Sequence, residues 1–184
     1  MKILLGKLRG RNFYMPAEIR PTQNMVRKAI FDILGHDLSG IHFLDLFAGS
    51  GAVGLEALSL GAEKVTFVEK TPLCLKVIEE NLRLLGVLNA PDFQGKFEVI
   101  SGDGLASIKE FARQERRFDV IFIDPPYQRG LGKKALKTLG AHVIVGPNCT
   151  VLIEHSLEDS LPEAEGQIQR IKERRYGNSS LSIY

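Results

Sequence analysis

The 184 residues carry 24 Lys and Arg against 22 Asp and Glu, with 44% hydrophobic and 25% charged side chains. Those averages exclude a disordered chain, a collagen or a coiled coil, and the length suits a single domain, 1–184, with no room for a second of ordinary size. No apolar run reaches the 18 residues of a membrane span, residues 1–7 lack the apolar core of a signal peptide, and Cys74 and Cys149 make neither a disulfide framework nor a metal site. A reducing, cytoplasmic home is therefore expected.

Residues 2–14 read as two short strands around Lys7-Leu8-Arg9-Gly10-Arg11, a small basic β-hairpin arm within 1–20, ahead of a core over 21–184. Thr22 is a good N-cap for a helix over about 23–34, with Val26, Ala29, Ile30, Ile33 and Leu34 on one face and Gly35 closing it. The run 41–47 reads as a buried parallel strand, followed by a helix from Gly51 to Leu60. Strand 64–69, helix 72–85, strand 97–100, helix 104–114, strand 118–124, helix 131–140 and strand 150–154 continue the alternation. Residues 168–184 read as a hairpin turning near Gly177-Asn178. This pattern predicts an α/β fold: a mostly parallel, Rossmann-like sheet with helices on both faces and an antiparallel C-terminal hairpin. Such sheets bind ligands beyond the carboxyl ends of their strands.

The motifs fall at those ends. Gly49, Gly51 and Gly54 form G-x-G-x-x-G after the first strand, permitting a tight turn and a close ligand approach. Glu69 closes the second strand, 20 residues beyond Gly49, where an acid can accept both hydroxyls of a ribose. Together they indicate a nucleoside cofactor without separating a dinucleotide from an adenosyl compound. No Walker loop occurs, so nucleotide hydrolysis has no support.

Asp124-Pro125-Pro126-Tyr127 follows the fourth strand. Two prolines fix φ and remove two N–H donors, ending the ladder in a rigid loop. That loop presents the Asp124 carboxylate and the Pro125 carbonyl beside the aromatic face of Tyr127. Two acceptors and a stacking ring suit a planar base with an exocyclic amine. Accepting both amine hydrogens favours pyramidal nitrogen and frees its lone pair for attack, so catalysis would be positioning and electrostatics.

Phe43-Leu44-Asp45-Leu46-Phe47-Ala48-Gly49-Ser50-Gly51 with Asp124-Pro125-Pro126-Tyr127 resembles a class I S-adenosylmethionine-dependent amino-methyltransferase. Arg9-Gly10-Arg11, Arg20-Pro21-Thr22 with Arg27, Val151-Leu152-Ile153-Glu154-His155, Arg174-Arg175-Tyr176-Gly177 and the closing Leu181-Ser182-Ile183-Tyr184 narrow the likeness to bacterial 16S rRNA guanine-N2 methyltransferases of the RsmD type. The resemblance implies that Asp45 and the backbone of Phe47, Ala48, Gly49 and Gly51 line the methionine end of S-adenosylmethionine, and that Glu69 holds its ribose. Asp103 would meet the adenine amine, with Gly104 and Leu105 beside the ring; the plainer role for a strand-end Asp is to cap the next helix. Asp124, Pro125, Pro126 and Tyr127 would hold the guanine while N2 attacks the sulfonium methyl in line, with no metal involved.

Charge is segregated. Residues 1–28 hold seven basic residues against one acid, and residues 167–184 hold four against one, leaving the rest at −7. Basic ends on an acidic body suggest a polyanion partner. With the resemblance, Lys7, Arg9, Arg11, Arg20, Arg174 and Arg175 are expected to contact phosphates of 16S rRNA, either free or within an assembling small subunit. The chain is expected to be a monomer with no membrane partner. A DNA adenine methyltransferase shares Asp-Pro-Pro-Tyr but generally needs more chain to read its target. A dehydrogenase using NAD accounts for the glycines and Glu69 alone, and a non-catalytic RNA-binding module for the basic ends alone. His155 at a strand end reads as a packed, hydrogen-bonded residue rather than a base.

Overall fold

Five strands run parallel: His42–Leu46 (β1), Lys64–Glu69 (β2), Phe97–Ser101 (β3), Phe118–Ile123 (β4) and Val145–Ser156 (β5). Ala164–Glu165 (β6) and Ile168–Gln169 (β7) form a separate ribbon, and Lys172–Tyr176 (β8) and Ser179–Ile183 (β9) form the closing hairpin. The main sheet has seven strands in the order β3-β2-β1-β4-β5-β9-β8, with β9 antiparallel to both of its neighbours. The computed structural model describes residues 1–17, 24–126 and 130–184. The expected N-cap Thr22 lies outside them, as do Arg20 and Tyr127.

Five α-helices among the described residues cover the sheet. Asn24–Leu34 (α1), Ala52–Ser59 (α2) and Pro72–Leu84 (α3) pack on one face through Ile30, Phe31, Leu55, Ile78 and Leu82 against Phe43, Phe67, Phe122 and Leu152. Gly104–Arg113 (α4) and Leu131–Ala141 (α5) pack on the other through Ile108, Phe111, Leu136 and Leu139 against Leu44, Leu46, Ile121 and Ile153. The period of two along each strand assigns alternate residues to the two cores. One consequence positions the site. Asp45, Glu69, Asp124 and Glu154 each lie two residues beyond Phe43, Phe67, Phe122 and Leu152, so all four acids share the α1–α3 face near the carboxyl ends of their strands.

The N-terminal arm pairs as a hairpin through one bridge, Lys2 with Asn12, and is docked on α2. Ile3, Leu8 and Phe13 are buried. Glu56 Oε1 accepts the N–H groups of Leu4 and Leu5 at 2.8 and 2.5 Å, and Ser59 Oγ accepts that of Leu8 at 2.9 Å. Gly6 has φ +74°, and a Cβ there would sit 2.0 Å from the Ser59 carbonyl oxygen, so only glycine lets the arm approach α2 this closely. With the arm on one side and the sheet on the other, every residue of α2 is buried.

The inner face of α1 includes Arg27 and Phe31, while Ile33 and Leu34 are only half-buried. Strand β5 begins at Val145, five residues earlier than expected; a register shift between Phe118 and Val120 accommodates Gly146-Pro147 at its start. Ile168 and Gln169 leave the closing hairpin and pair instead with Glu165 and Ala164. No helix among the described residues is long and apolar enough to cross a membrane.

Candidate active site at the strand ends

A cavity of about 400 Å³ opens at the carboxyl ends of β1, β2 and β4, within the ordinary size range for a small-molecule site. Six of the expected cofactor residues line it: Asp45, Phe47, Ala48, Gly49, Glu69 and Gly104. Asp124, Pro125 and Pro126 close one side.

The glycine loop is held by its own backbone bonds. The N–H groups of Phe47 and Ala48 both donate to the Val68 carbonyl, at 3.1 and 2.9 Å, and Gly51 donates to Ala48 at 2.7 Å. Gly49 N–H donates to Glu69 Oε2 at 2.9 Å, and Gly54 N–H to Asp45 Oδ2 at 2.9 Å. A Cβ on Gly54 would lie 2.2 Å from the Phe67 ring, so this glycine lets α2 seat on β2. Phe47 takes φ +72°, a sparsely populated conformation for a side chain of its size, and its ring lies against Gly104. Those five amides are engaged within the fold, which leaves them no hydrogen for a dinucleotide's pyrophosphate.

The charges point the same way. Burial pushes the Asp45 carboxyl up to about 7, with Glu69 adding to the rise and the Gly54 N–H opposing it. Glu69 Oε1 also accepts from the N–H groups of Lys70 and Thr71, at 2.9 and 2.8 Å. Three backbone donors leave room for about one more on a carboxylate with four lone-pair directions. With the acids Asp45, Glu69 and Asp124 against one base, Lys70, in its walls, the cavity favours a cationic guest over a polyphosphate.

Gly51, Asp103 and Leu105 lie outside the lining. Gly51 shapes the turn, with φ +78°. Asp103 caps α4, its Oδ1 accepting from Leu105 and Ala106 at 3.0 and 3.3 Å, while Oδ2 sits 3.7 Å from Lys70 Nζ. Sequence reasoning missed Lys70, Thr71 and Cys74, which line the cavity where α3 begins; their position just past Glu69 at a strand end was the available signal. Burial raises the Cys74 thiol and pushes Cys149 up to about 12, so both free cysteines stay protonated.

A second, smaller cavity adjoins the first. Pro125 and Pro126 line both, and Glu154, His155, Lys133 and Asp159 line the second. His155 is buried, with Nδ1 2.9 Å from the Ser156 carbonyl oxygen and Nε2 2.9 Å from Ser182 Oγ, a packed histidine joining β5 to β9.

The basic residues divide between the two ends of the domain. Arg11 Nη1 donates to the Leu85 carbonyl at 2.7 Å, and Lys7 Nζ lies 3.8 Å from Asp92. Both contacts are at the far end of α3 from the cavity, about 20 Å away for a helix of this length. Arg9 is exposed on the same turn. Arg174 and Arg175 are exposed on β8, an edge strand whose turn to β9 lies beside Ser156, at the cavity end.

The family described as Conserved hypothetical protein 95 matches residues 1–184. The ribosomal RNA small subunit methyltransferase D of Haemophilus influenzae is 31% identical, covering 100% of this chain and 93% of its own. The protein of the same name from Escherichia coli K12 is 28% identical over 100% of this chain and 89% of its own. A solved structure of a hypothetical protein from Thermus thermophilus superposes with a TM-score of 0.83 at 33% identity, covering 100% of this chain and 98% of that one.

Proposed function

The chain belongs to the Conserved hypothetical protein 95 family, and on that premise we propose that it transfers the methyl group of S-adenosylmethionine to the exocyclic N2 amine of a guanine in 16S rRNA. The carrying observation is the cavity itself, lined by three acids, with five amides of its glycine segment already bonded and one side closed by Asp124-Pro125-Pro126. The names of the relatives support the rRNA substrate. The substrate is free rRNA or an assembling small subunit, and the chain works as a cytoplasmic monomer.

S-adenosylmethionine supplies a methyl group on positively charged sulfur, which departs as a neutral thioether. Asp45 offers its carboxylate to the cationic methionine end, and Glu69 keeps one lone-pair direction for the ribose. Asp124 and the Pro125 carbonyl accept the two hydrogens of the guanine amine, aim its lone pair and stabilise the charge that grows on nitrogen as the C–N bond forms. One of those hydrogens then leaves as a proton, taken by the Asp124 carboxylate or by water. Tyr127 supplies the stacking face in this scheme.

The direct test is transfer of labelled methyl groups to unmodified 16S rRNA and to small subunits, followed by digestion and mass spectrometry of the nucleosides. Label in N2-methylguanine is expected. Label in N6-methyladenine would move the adenine methyltransferase reading to the front, and no label with the cofactor analogue bound would sink the rRNA assignment.

Cofactor affinity should depend on pH through Asp45. Below pH 7 the unliganded carboxyl holds a proton, which must leave before Asp45 can pair with the amino-acid ammonium that S-adenosylmethionine and S-adenosylhomocysteine share. Calorimetric affinity for S-adenosylhomocysteine should therefore rise about tenfold per unit below pH 7 and level off above it. Asp45→Asn should bind more weakly with a flat profile; a sloping profile in that variant would assign the proton elsewhere. The same group should lower fold stability as pH rises from about 4 to 7, because only the folded chain holds its proton in that window.

Geometry also ranks the basic residues. Removing Arg174 and Arg175 should weaken RNA binding and reduce its salt slope by roughly one for each phosphate they engage. Arg9→Ala, about 20 Å from the cavity along α3, should cost less, and Arg11→Ala should also lower thermal stability through the Leu85 carbonyl. Filter binding across a salt series checks this; equal slopes for the Arg174/Arg175 variant and the wild type would remove β8 from the interface.

A further inference from the structure

Asp124 and the Pro125 carbonyl would accept the hydrogens of any exocyclic amine, so they cannot by themselves choose guanine over adenine or cytosine. A second group must read the rest of the base edge. We propose that Glu154 is that group, a specificity-determining residue that accepts the N1–H of the target guanine; the assignment rests on the methyltransferase reading above.

Three observations carry it. First, the registers Leu46↔Ile123 and Ile123↔Ile153 put Asp124 and Glu154 in the next row of adjacent parallel strands, both on the α1–α3 face. Neighbouring strands lie about 4.8 Å apart, the scale of one purine edge. Second, Glu154 is only 3% exposed, and it lines the smaller cavity whose other wall is Pro125-Pro126. The catalytic loop is thus shared between the cofactor cavity on one side and a buried carboxylate on the other. Third, the chemistry fits one base. Guanine presents N1–H beside the N2 amine, so with both amine hydrogens held by Asp124 and the Pro125 carbonyl, a neighbouring carboxylate accepts N1–H. Adenine N1 and cytosine N3 present lone pairs at the corresponding place, which a carboxylate repels. Lys133, lining the same cavity, is the donor suited to guanine O6.

The test replaces the base as well as the residue. Once the modified position is mapped, small subunits are reconstituted with guanine or 2-aminopurine there. The analogue keeps the 2-amine but carries a lone pair at N1 and no O6. The wild type should favour guanine by about 100-fold, the scale of a missing charge-assisted hydrogen bond plus a repulsion. Glu154→Gln, whose amide can donate to that lone pair, should narrow the ratio about tenfold or more. Equal wild-type rates on the two bases overturn the proposal without any variant. So does a Glu154→Gln enzyme that slows both substrates by one factor while binding S-adenosylhomocysteine normally, since that pattern marks a packing role. A wild type that methylates neither base, yet binds the cofactor analogue, overturns the activity itself and this assignment with it.

Discussion

Asp124→Ala is expected to lower methyl transfer by about 100- to 1,000-fold, the usual cost of removing one preorganised electrostatic contact to a developing charge. β4 ends at Ile123, and two successive prolines prevent further ladder bonding, so the Asp124 side chain is fixed by backbone that cannot relax into the sheet. It lines the same cavity as Asp45 and Glu69. The arylamine of guanine is a weak nucleophile because its lone pair is delocalised into the ring. Losing an acceptor for one of its hydrogens therefore acts on the transition state more than on the ground state. S-adenosylhomocysteine should still bind and still raise the melting temperature of the variant. Asp124→Asn keeps one acceptor oxygen and should retain more activity than the alanine variant. Single-turnover rates on small subunits, with calorimetry of the cofactor analogue alongside, separate the cases. If binding falls as much as the rate, Asp124 belongs to the cofactor; if the rate is unchanged, the chemistry lies elsewhere.

Much of the sheet is legible in the sequence for a plain reason. Buried parallel strands are short apolar runs bounded by glycine and charge, and 64–69 or 118–123 stand out against their flanks. The glycine turn and Asp-Pro-Pro carry their own backbone constraints, so their place at strand ends follows from local chemistry. Pairing over longer range does not. Gly146-Pro147 reads as a break, yet β5 continues through it because the partner strand slips register at Phe118. Ile168-Gln169 has the alternation of a hairpin strand but pairs across the turn at Gly166, φ +60°. The charge segregation suggested an RNA-binding arm, while the packing of Ile3, Leu8 and Phe13 ties that arm to α2. Composition reports how many charges a segment holds; only the docked backbone reports which way they face. Glu154 shows the reverse. Its kinship with Asp45, Glu69 and Asp124 was in the sequence all along, each acid two residues past a buried apolar one, but the common face appears only when strand order and register are known.

Arg27→Met should destabilise the fold by about 3–5 kcal/mol, the cost of stripping one partner from a buried ion pair. For a chain of this length that is a fall in melting temperature on the order of 10 °C. Arg27 and Glu56 are both fully buried, with Nε 3.4 Å from Oε2. The guanidinium also donates to the Lys2 carbonyl at 2.7 Å and lies 5.4 Å from the centre of the Phe13 ring. Glu56 Oε1 meanwhile holds the N–H groups of Leu4 and Leu5. The pair thus joins α1, α2 and the N-terminal arm at one point, and a lone acid inside the apolar run of α2 was the sequence's signal that a buried cation had to meet it. Burial disfavours both charges, lowering the arginine's pKa and raising the glutamate's, and each is kept ionised by the other. Without Arg27 the Glu56 carboxyl rises further. The deficit should then be smaller at pH 5 than at pH 8, because a carboxyl raised by burial takes up a proton more readily at the lower pH and so escapes more of the cost of a bare buried charge. Adding Glu56→Gln to Arg27→Met removes that charge yet keeps the acceptor for Leu4 and Leu5, so the double variant should be more stable than Arg27→Met at pH 8. Thermal unfolding of the three proteins at both pH values decides it. A loss that ignores pH and is not relieved by Glu56→Gln would make Arg27 a packing residue whose charge contributes nothing.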